Sequence, residues 1–301
     1  MVILKGGIKN FSFSEIMDKA SKIRSVINRI SWSSWDLEDL DYKFLVSHEY
    51  APLIATICDE GINADDAWGY PEWLYNKVGT FDPEVLLKQD HRKLLEEYLK
   101  DKWPKRFKKK DKENYLEKIS RSIKEALDLF LREGKSPVTM FDNRKYRALE
   151  VYFMLRRIPG IGPKKANMVT RDFIYRSLGL TGRNPWFDQI RQKSPKFKVV
   201  DERFLDMPID VHVVKVFNRI FGRLRPYKKY KSWRNELQNH VLDILAFSKL
   251  VFPEFPAKLD QILWTVGREY CHNRSPKCSK CPLNEVCEVG KTSSSNLSSL
   301  I

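Results

Sequence analysis

The sequence predicts an all-α protein. Three observations carry this. Apolar residues recur at three- and four-residue spacing in most segments, and Pro, Gly and Asp-Pro boundaries cut the chain into helix-sized lengths. Strand signals are weak everywhere, with a short strand pair in Phe197–Phe204 the one exception.

In chain order, Phe11–Ile30 reads as a first helix, with Ser14 and Asp18 a loose start signal. Trp32–Tyr42, rich in Trp and acidic residues, reads as a connector. Tyr50–Cys58 is apolar, Ile62–Trp68 resumes after Gly61, and Tyr70–Val78 and Pro83–Leu87 follow. Lys93–Leu99 spaces Leu94, Leu95, Tyr98 and Leu99 as a helix does. Tyr115–Glu133 places Ile119, Ile123, Leu127 and Phe130 on one stripe, and Tyr146–Arg157 repeats the pattern. Lys164–Leu178 is a further helix, broken at Gly179. Gly182–Asp206 reads as irregular and polar. Val211–Phe221, Lys231–Leu250 and Ala257–Cys271 complete the helices.

The 301 residues suffice for two helical lobes, each with its own core. Lys and Arg number 54 against 39 Asp and Glu, a formal charge of +15, so the expected partner is a polyanion, nucleic acid above all. A merely soluble basic protein is the alternative at this point. The opening MVILKGGIKNFSFSEI lacks a signal-peptide pattern, and no run approaches the roughly 18 apolar residues of a membrane span. An intracellular protein is expected, with Thr292–Ser299 a low-complexity, disordered tail.

The segment Leu155-Arg-Arg-Ile-Pro-Gly-Ile-Gly-Pro-Lys-Lys-Ala166 reads as a helix-hairpin-helix. Pro163 opens the second helix at a first-turn position. Gly160 and Gly162 let backbone approach a ligand closely, and the turn and helix N-terminus aim amides at an anion such as a DNA phosphate. An ordinary tight αα-turn is the alternative. The second motif is Cys271-x6-Cys278-x2-Cys281-x5-Cys287. Thiolates suit zinc or iron–sulfur, but zinc sites usually come as two short knuckles, and only the middle pair here is one. Four cysteines around one loop suit a [4Fe-4S] cluster better, with zinc or unligated thiols the alternatives. Arg274, Lys277 and Lys280 lie among the ligands with His272 beside them, placed to contact phosphates.

Together these residues resemble the helix-hairpin-helix DNA glycosylase superfamily, in its iron–sulfur branch typified by endonuclease III. The family's Leu-Pro-Gly-Val-Gly-x-Lys hairpin is matched by Ile158-Pro-Gly-Ile-Gly-Pro-Lys164. Its Val-Asp-Thr-His segment is matched by Ile209-Asp-Val-His212, and its 6-2-5 cysteine spacing by the loop above. The resemblance covers roughly residues 48–290. It implies two lobes: residues 1–46 with 205–290 as the cluster lobe, and 47–204 as a six-helix barrel carrying the hairpin. Residues 291–301 would form a disordered tail.

The resemblance also implies chemistry. Lys164 would attack C1′ of the damaged nucleotide, with Lys165 a rival, and Asp210 would stabilise the sugar cation and assist proton transfer. Residue-level alternatives are a phosphate-contacting Lys164 and an Asp210 that only caps a helix. Gly160, Gly162, Lys165, His212, Lys215, Arg274 and Lys277 would contact DNA. Members with a lysine here usually remove the base and cleave the strand. The implied enzyme is a monomeric glycosylase with AP lyase activity on double-stranded DNA, flipping a damaged or mismatched base out of the stack. A monofunctional glycosylase and a non-catalytic iron–sulfur DNA-binding protein are the alternatives. Two basic stretches, Lys100–Lys112 and Arg223–Arg234, could add phosphate contacts.

Three departures stand out. The family's Ser-x-Gln segment, whose Gln fills the gap left by the flipped base, is matched by Ala55-Thr-Ile-Cys-Asp-Glu-Gly61, with no Gln. Cys58, Asp59 and Glu60 could face the base there, although Cys58 reads better as a buried residue. The Arg five positions after the catalytic Asp is Lys215. The Gly179–Pro208 connector is long, and its Asn184, Trp186, Phe187 and Gln189 either read the opposite strand or pack on the barrel.

Overall fold

A computed structural model describes residues 11–27, 39–104, 109–180, 184–223 and 233–291. The chain divides into two compact units, 1–32 with 201–301, and 33–200. Helices make up nearly all the regular structure in both. The only sheet among the described residues is two three-residue strands.

The 33–200 unit begins with α2 (Asp39–Ser47), a helix where the sequence predicts a connector. It packs against α3 (Ala51–Cys58), α4 (Ala64–Val78) and α10 (Pro185–Lys193), so it lies in this unit rather than with the N-terminal helix. Helix α3 is buried at every position, as its unbroken apolar sequence requires. Helix α4 runs straight through Pro71, where the sequence predicts two segments. A proline inside a helix costs about 3 kcal/mol, but Ala67, Tyr70 and Leu74 are fully buried on this helix, and burying a large side chain contributes about 1.5–3 kcal/mol. Tertiary packing therefore overrides the local break.

Short caps start the next helices. Asp82 accepts from the Glu84 and Val85 amides at α5 (Pro83–Leu87), and Asp90 accepts from the Lys93 amide at α6 (His91–Lys102). The long amphipathic α7 (Lys109–Glu133) packs on α6, α5 and α3. Strand β1 (Lys145–Arg147) leads directly into α8 (Ala148–Arg156), and α9 (Pro163–Ser177) follows across the hairpin.

The connector that reads as irregular contains α10, with Asn184 as its N-cap and Pro185 in its first turn. It then forms β2 (Lys198–Val200), which pairs parallel with β1 rather than within 197–204. Trp186, Phe187 and Gln189 are buried. The Trp186 indole donates to the Pro137 carbonyl at 3.0 Å, and the Gln189 amide donates to Leu45 and His48 carbonyls at 2.6 and 2.8 Å. Phe141, Phe173, Phe187 and Phe197 close one aromatic cluster beneath α10. This part of the connector is thus core, and Trp186 and Phe187 are packed inside it rather than presented to a DNA strand.

The other unit contains α1 (Phe13–Ile27), α11 (Val211–Ile220), α12 (Trp233–Val251) and α13 (Lys258–Glu269). Ile23, Val213, Phe217, Ile244, Phe247, Leu263 and Val266 form its core, and Cys271, Leu283 and Val286 of the cysteine loop join the same cluster. Residues 105–108, 224–232 and 292–301, which hold much of both basic stretches and the expected tail, lie outside the described residues. No helix among the described residues is long and apolar enough to cross a membrane.

Candidate active site

The hairpin joins α8 to α9 in the 33–200 unit. The Ile158 and Ile161 side chains are buried beneath it, and the Ile161 amide closes the turn on the Ile158 carbonyl at 3.1 Å. Gly160 has φ +83, in the left-handed region. A Cβ there would lie 2.8 Å from Ser122 Cβ and 3.0 Å from Ile57 Cγ2. Glycine is required at 160 by backbone geometry and by close packing on α7 and α3 together. Gly162 is different. It has ordinary extended geometry (φ −76, ψ 177), and a Cβ would meet nothing within 4 Å. Open space beside this backbone leaves room for an external group.

Gly162 is also the N-cap of α9. The first intrahelical bond of that helix runs from the Ala166 amide to the Gly162 carbonyl at 3.0 Å, so the amides of Lys164 and Lys165 precede the hydrogen-bonded ladder. The helix dipole adds positive potential at this end.

The two hairpin lysines differ sharply. Lys164 is half-buried and makes no hydrogen bond or ion pair seen among the described residues. Lys165 is 3% exposed. Its Nζ donates to the Ile57 carbonyl at 2.7 Å and the Gly160 carbonyl at 3.1 Å, with Glu60 Oε2 at 3.5 Å. Burial lowers its pKa, against the opposing pull of Glu60. A buried amine with three internal partners reaches no phosphate, so of Lys165 only the backbone amide stands where the expected DNA contact could form.

In the other unit, Asp210 caps α11, accepting the Val213 amide at 2.8 Å, and is half-buried. His212 is half-buried against Gly267 of α13, where an added Cβ would lie 2.6 Å from His212 Cβ. Lys215 is buried and donates to the Gly267 carbonyl at 2.8 Å, with burial lowering its pKa. It ties α11 to α13, so the side chain expected to contact DNA is turned inward. Arg274 and Lys277 are exposed, as phosphate-contacting side chains must be.

Cys271 is buried, and Cys278, Cys281 and Cys287 are half-buried; two 3₁₀ turns, Cys278–Lys280 and Asn284–Val286, wind the loop. Among the described residues, no three His, Cys, Asp or Glu side chains are gathered closely enough to hold a metal ion. The donor type, four thiols on one loop, is the one that an iron–sulfur cluster takes. The Leu283 amide bonds the Cys281 sulfur, and the Gly290 and Val289 amides bond that of Cys287. Burial first, and the neighbouring cysteines next, push the Cys281 thiol up to about 12, and burial pushes Cys287 up to about 11. Such thiols stay protonated near neutral pH, and a bound metal centre would have to displace their protons.

Sequence reasoning missed Arg219. This side chain is 1% exposed, and its guanidinium donates to Cys271 Sγ at 3.1 Å and to the His272 and Asn273 carbonyls at 2.8 and 3.0 Å. The available signal is an arginine inside the apolar run Val213–Ile220. Glu60, which the sequence suggests only as a group facing the flipped base, bridges Lys165 and Lys118.

No protein-family model matches the chain, and no curated protein matches its sequence. Solved structures do. A non-covalent endonuclease III–DNA complex aligns over 92% of this chain and 94% of that one, at 15% identity and a TM-score of 0.50. A thermostable thymine-DNA glycosylase aligns over 95% and 100% at 14% identity (TM-score 0.49), and a trapped endonuclease III–DNA covalent intermediate over 93% and 96% at 15% identity (TM-score 0.46). The chain therefore has the all-α, helix-hairpin-helix fold of endonuclease III.

Proposed function

We propose that this protein is a base-excision repair enzyme: a DNA glycosylase with AP lyase activity on double-stranded DNA. The observation that carries the reading is the hairpin. It presents an open glycine and a helix N-terminus to an anion, with one lysine, Lys164, left without an internal partner among the described residues beside them. That the fold is shared with a protein solved on DNA supports the same partner. The formal charge of +15 favours phosphate contacts, to which exposed Arg274 and Lys277 would add.

In this reading the hairpin amides hold a backbone phosphate and the target nucleotide is flipped from the stack. The neutral Lys164 amine attacks C1′. The C1′–N bond breaks as the base leaves carrying a proton; the C1′–O4′ bond then opens, O4′ takes up a proton from solvent, and a protonated imine is left between Nζ and C1′. Loss of a C2′ proton then expels the 3′ phosphate, and water releases the lysine. Asp210 supplies negative charge opposite the cationic sugar and accepts protons. Its cap bond to Val213 fixes the carboxylate's direction at the start of α11.

Cys271, Cys278, Cys281 and Cys287 would hold a [4Fe-4S] cluster. Bound there, the cluster supplies a rigid cross-link and a centre able to exchange one electron. Arg219 and the loop amides hold the sulfurs' surroundings, and the loop presents Arg274 and Lys277 at the surface.

The test is base release. Duplexes carrying uracil, hypoxanthine, thymine glycol, 8-oxoguanine or a mismatch are incubated with the protein, and alkali reveals abasic sites. Release on at least one lesion, lost in Asp210→Asn, is expected. Binding to duplex with no release on any lesion, and with strand integrity indifferent to Asp210→Asn, would favour a non-catalytic DNA-binding protein. Iron and acid-labile sulfide near four of each per chain are expected in protein purified without oxygen, and zinc alone would contradict the cluster.

A further inference from the structure

We infer that Lys165 is a positioning residue, whose buried ammonium locks the hairpin turn onto the C-terminal end of α3 and so holds the phosphate-binding amides in place. This rests on the hairpin being the DNA phosphate site, as proposed above.

The geometry is specific. One ammonium has three donors, and three acceptors lie around it: the Ile57 carbonyl at 2.7 Å, the Gly160 carbonyl at 3.1 Å and Glu60 Oε2 at 3.5 Å. Ile57 belongs to the last turn of α3, whose carbonyls carry the negative end of the helix dipole. Gly160 is the left-handed residue of the hairpin. The ammonium therefore joins two partial negative charges that would otherwise face each other in a buried space. Ile57 Cγ2 and Ser122 Cβ pack against Gly160 from the other directions, which leaves the turn one seat only.

The backbone of Lys165 is part of the same device. Its amide belongs to the first turn of α9, beside that of Lys164, while its side chain returns under the turn to Gly160. Movement at the buried end thus moves the amides at the exposed end. Glu60 extends the link outward. It pairs with Lys118 of α7 at 2.5 Å, and burial, which raises its carboxyl, is outweighed by Lys118 and Lys165, which hold it below the usual range. The 58–61 loop, part of the stretch Ala55–Gly61 that the family resemblance matches to the base-replacing glutamine's segment, is in this way fastened to the hairpin. The lysine that matches the attacking residue is its neighbour, so Lys165 acts through the turn and not on the sugar.

The test uses Lys165→Met, which keeps length and apolar bulk but removes the charge, and Glu60→Gln, a milder change at a half-exposed residue. Each is compared with the full-length wild type for duplex affinity across a salt series, single-turnover rate at saturating abasic duplex, and borohydride trapping. Lys165→Met should bind about tenfold or more weaker, with the slope of log affinity against log salt shallower by about 0.9, the loss of one phosphate contact. Its saturating rate should fall by threefold at most, and the borohydride adduct should still form. Glu60→Gln should weaken binding by about two- to threefold in the same direction, which carries the test if Lys165→Met does not fold.

Wild-type affinity and slope in folded Lys165→Met would overturn the proposal, as would an unchanged Glu60→Gln if the methionine variant is lost. So would loss of trapping in Lys165→Met with trapping kept in Lys164→Ala, which would make Lys165 the nucleophile. If wild type itself neither releases base nor traps, the glycosylase reading fails, while affinity and slope still judge Lys165.

Discussion

The two hairpin glycines should fail in opposite ways when each is replaced by alanine. At Gly160 the backbone is left-handed, which costs an alanine about 1–2 kcal/mol. The added methyl also arrives 2.8 Å from Ser122 Cβ, an atom fixed to the backbone of α7, and 3.0 Å from Ile57 Cγ2. Overpacking of this kind costs about 1–3 kcal/mol. The sum, about 2–5 kcal/mol, should lower the melting temperature of the unit that holds the hairpin by about 5–15 °C. At Gly162 neither cost arises. The methyl meets open space, and its entropic gain of about 0.4–1 kcal/mol offsets the poorer helix cap, so stability should stay within about 0.5 kcal/mol. Duplex affinity should fall instead, because the methyl stands where a phosphate must approach the Lys164 and Lys165 amides. Thermal melting and fluorescence anisotropy on labelled duplex measure the two effects separately. A Gly160→Ala protein melting within about 2 °C of wild type would refute the packing argument. A Gly162→Ala protein with normal DNA affinity would refute the phosphate site.

Two further outcomes follow from single side chains. Asparagine caps a helix as well as aspartate does, so Asp210→Asn should melt like wild type while losing base release, and Asp210→Ala should lose about 1 kcal/mol of stability in addition, read by denaturant unfolding. His91 is buried with Nε2 against the Leu86 carbonyl at 2.8 Å, and burial lowers its pKa to about 4 from 6.5. Between those values the unfolded chain takes up a proton that the folded chain refuses. Its contribution is therefore complete above pH 6.5 and lost toward pH 4, at about 1.4 kcal/mol per unit and up to about 3 kcal/mol in all. The stability gap between wild type and His91→Gln should narrow correspondingly from about pH 7 to about pH 4.5; parallel curves would show that His91 titrates normally in the folded protein.

Much of this is legible in the sequence because local rules and tertiary packing agree there. The apolar stripe of α7, the Asp-Pro start of α5, the Asp210 cap and the Pro163 start of α9 specify their elements without help. Where the two disagree, packing wins and the sequence misleads. Pro71 signals a break that the burial of Tyr70 and Leu74 overrides. The connector's polar composition hides Trp186 and Phe187, whose burial depends on Phe173 of α9 and on Phe197 further along the connector.

The candidate site divides the same way. Hairpin and cysteine spacings are local patterns, whereas the environment of a lysine is not. Lys164 and Lys165 are adjacent and chemically identical, and only the fold brings Ile57 and Glu60 to one of them. Lys215 reads as a DNA contact and Arg219 goes unnoticed for the same reason, since their acceptors come from Gly267 and from the cysteine loop.

Borohydride trapping on a duplex with a single abasic site tests the central assignment most directly. Reduction of a Schiff base should leave a covalent protein–DNA adduct whose peptide carries the sugar on Lys164. Lys164→Ala should give no adduct while melting and binding duplex much as wild type does. No adduct from wild type under conditions in which it binds the duplex, or an adduct that persists in Lys164→Ala, would contradict the account.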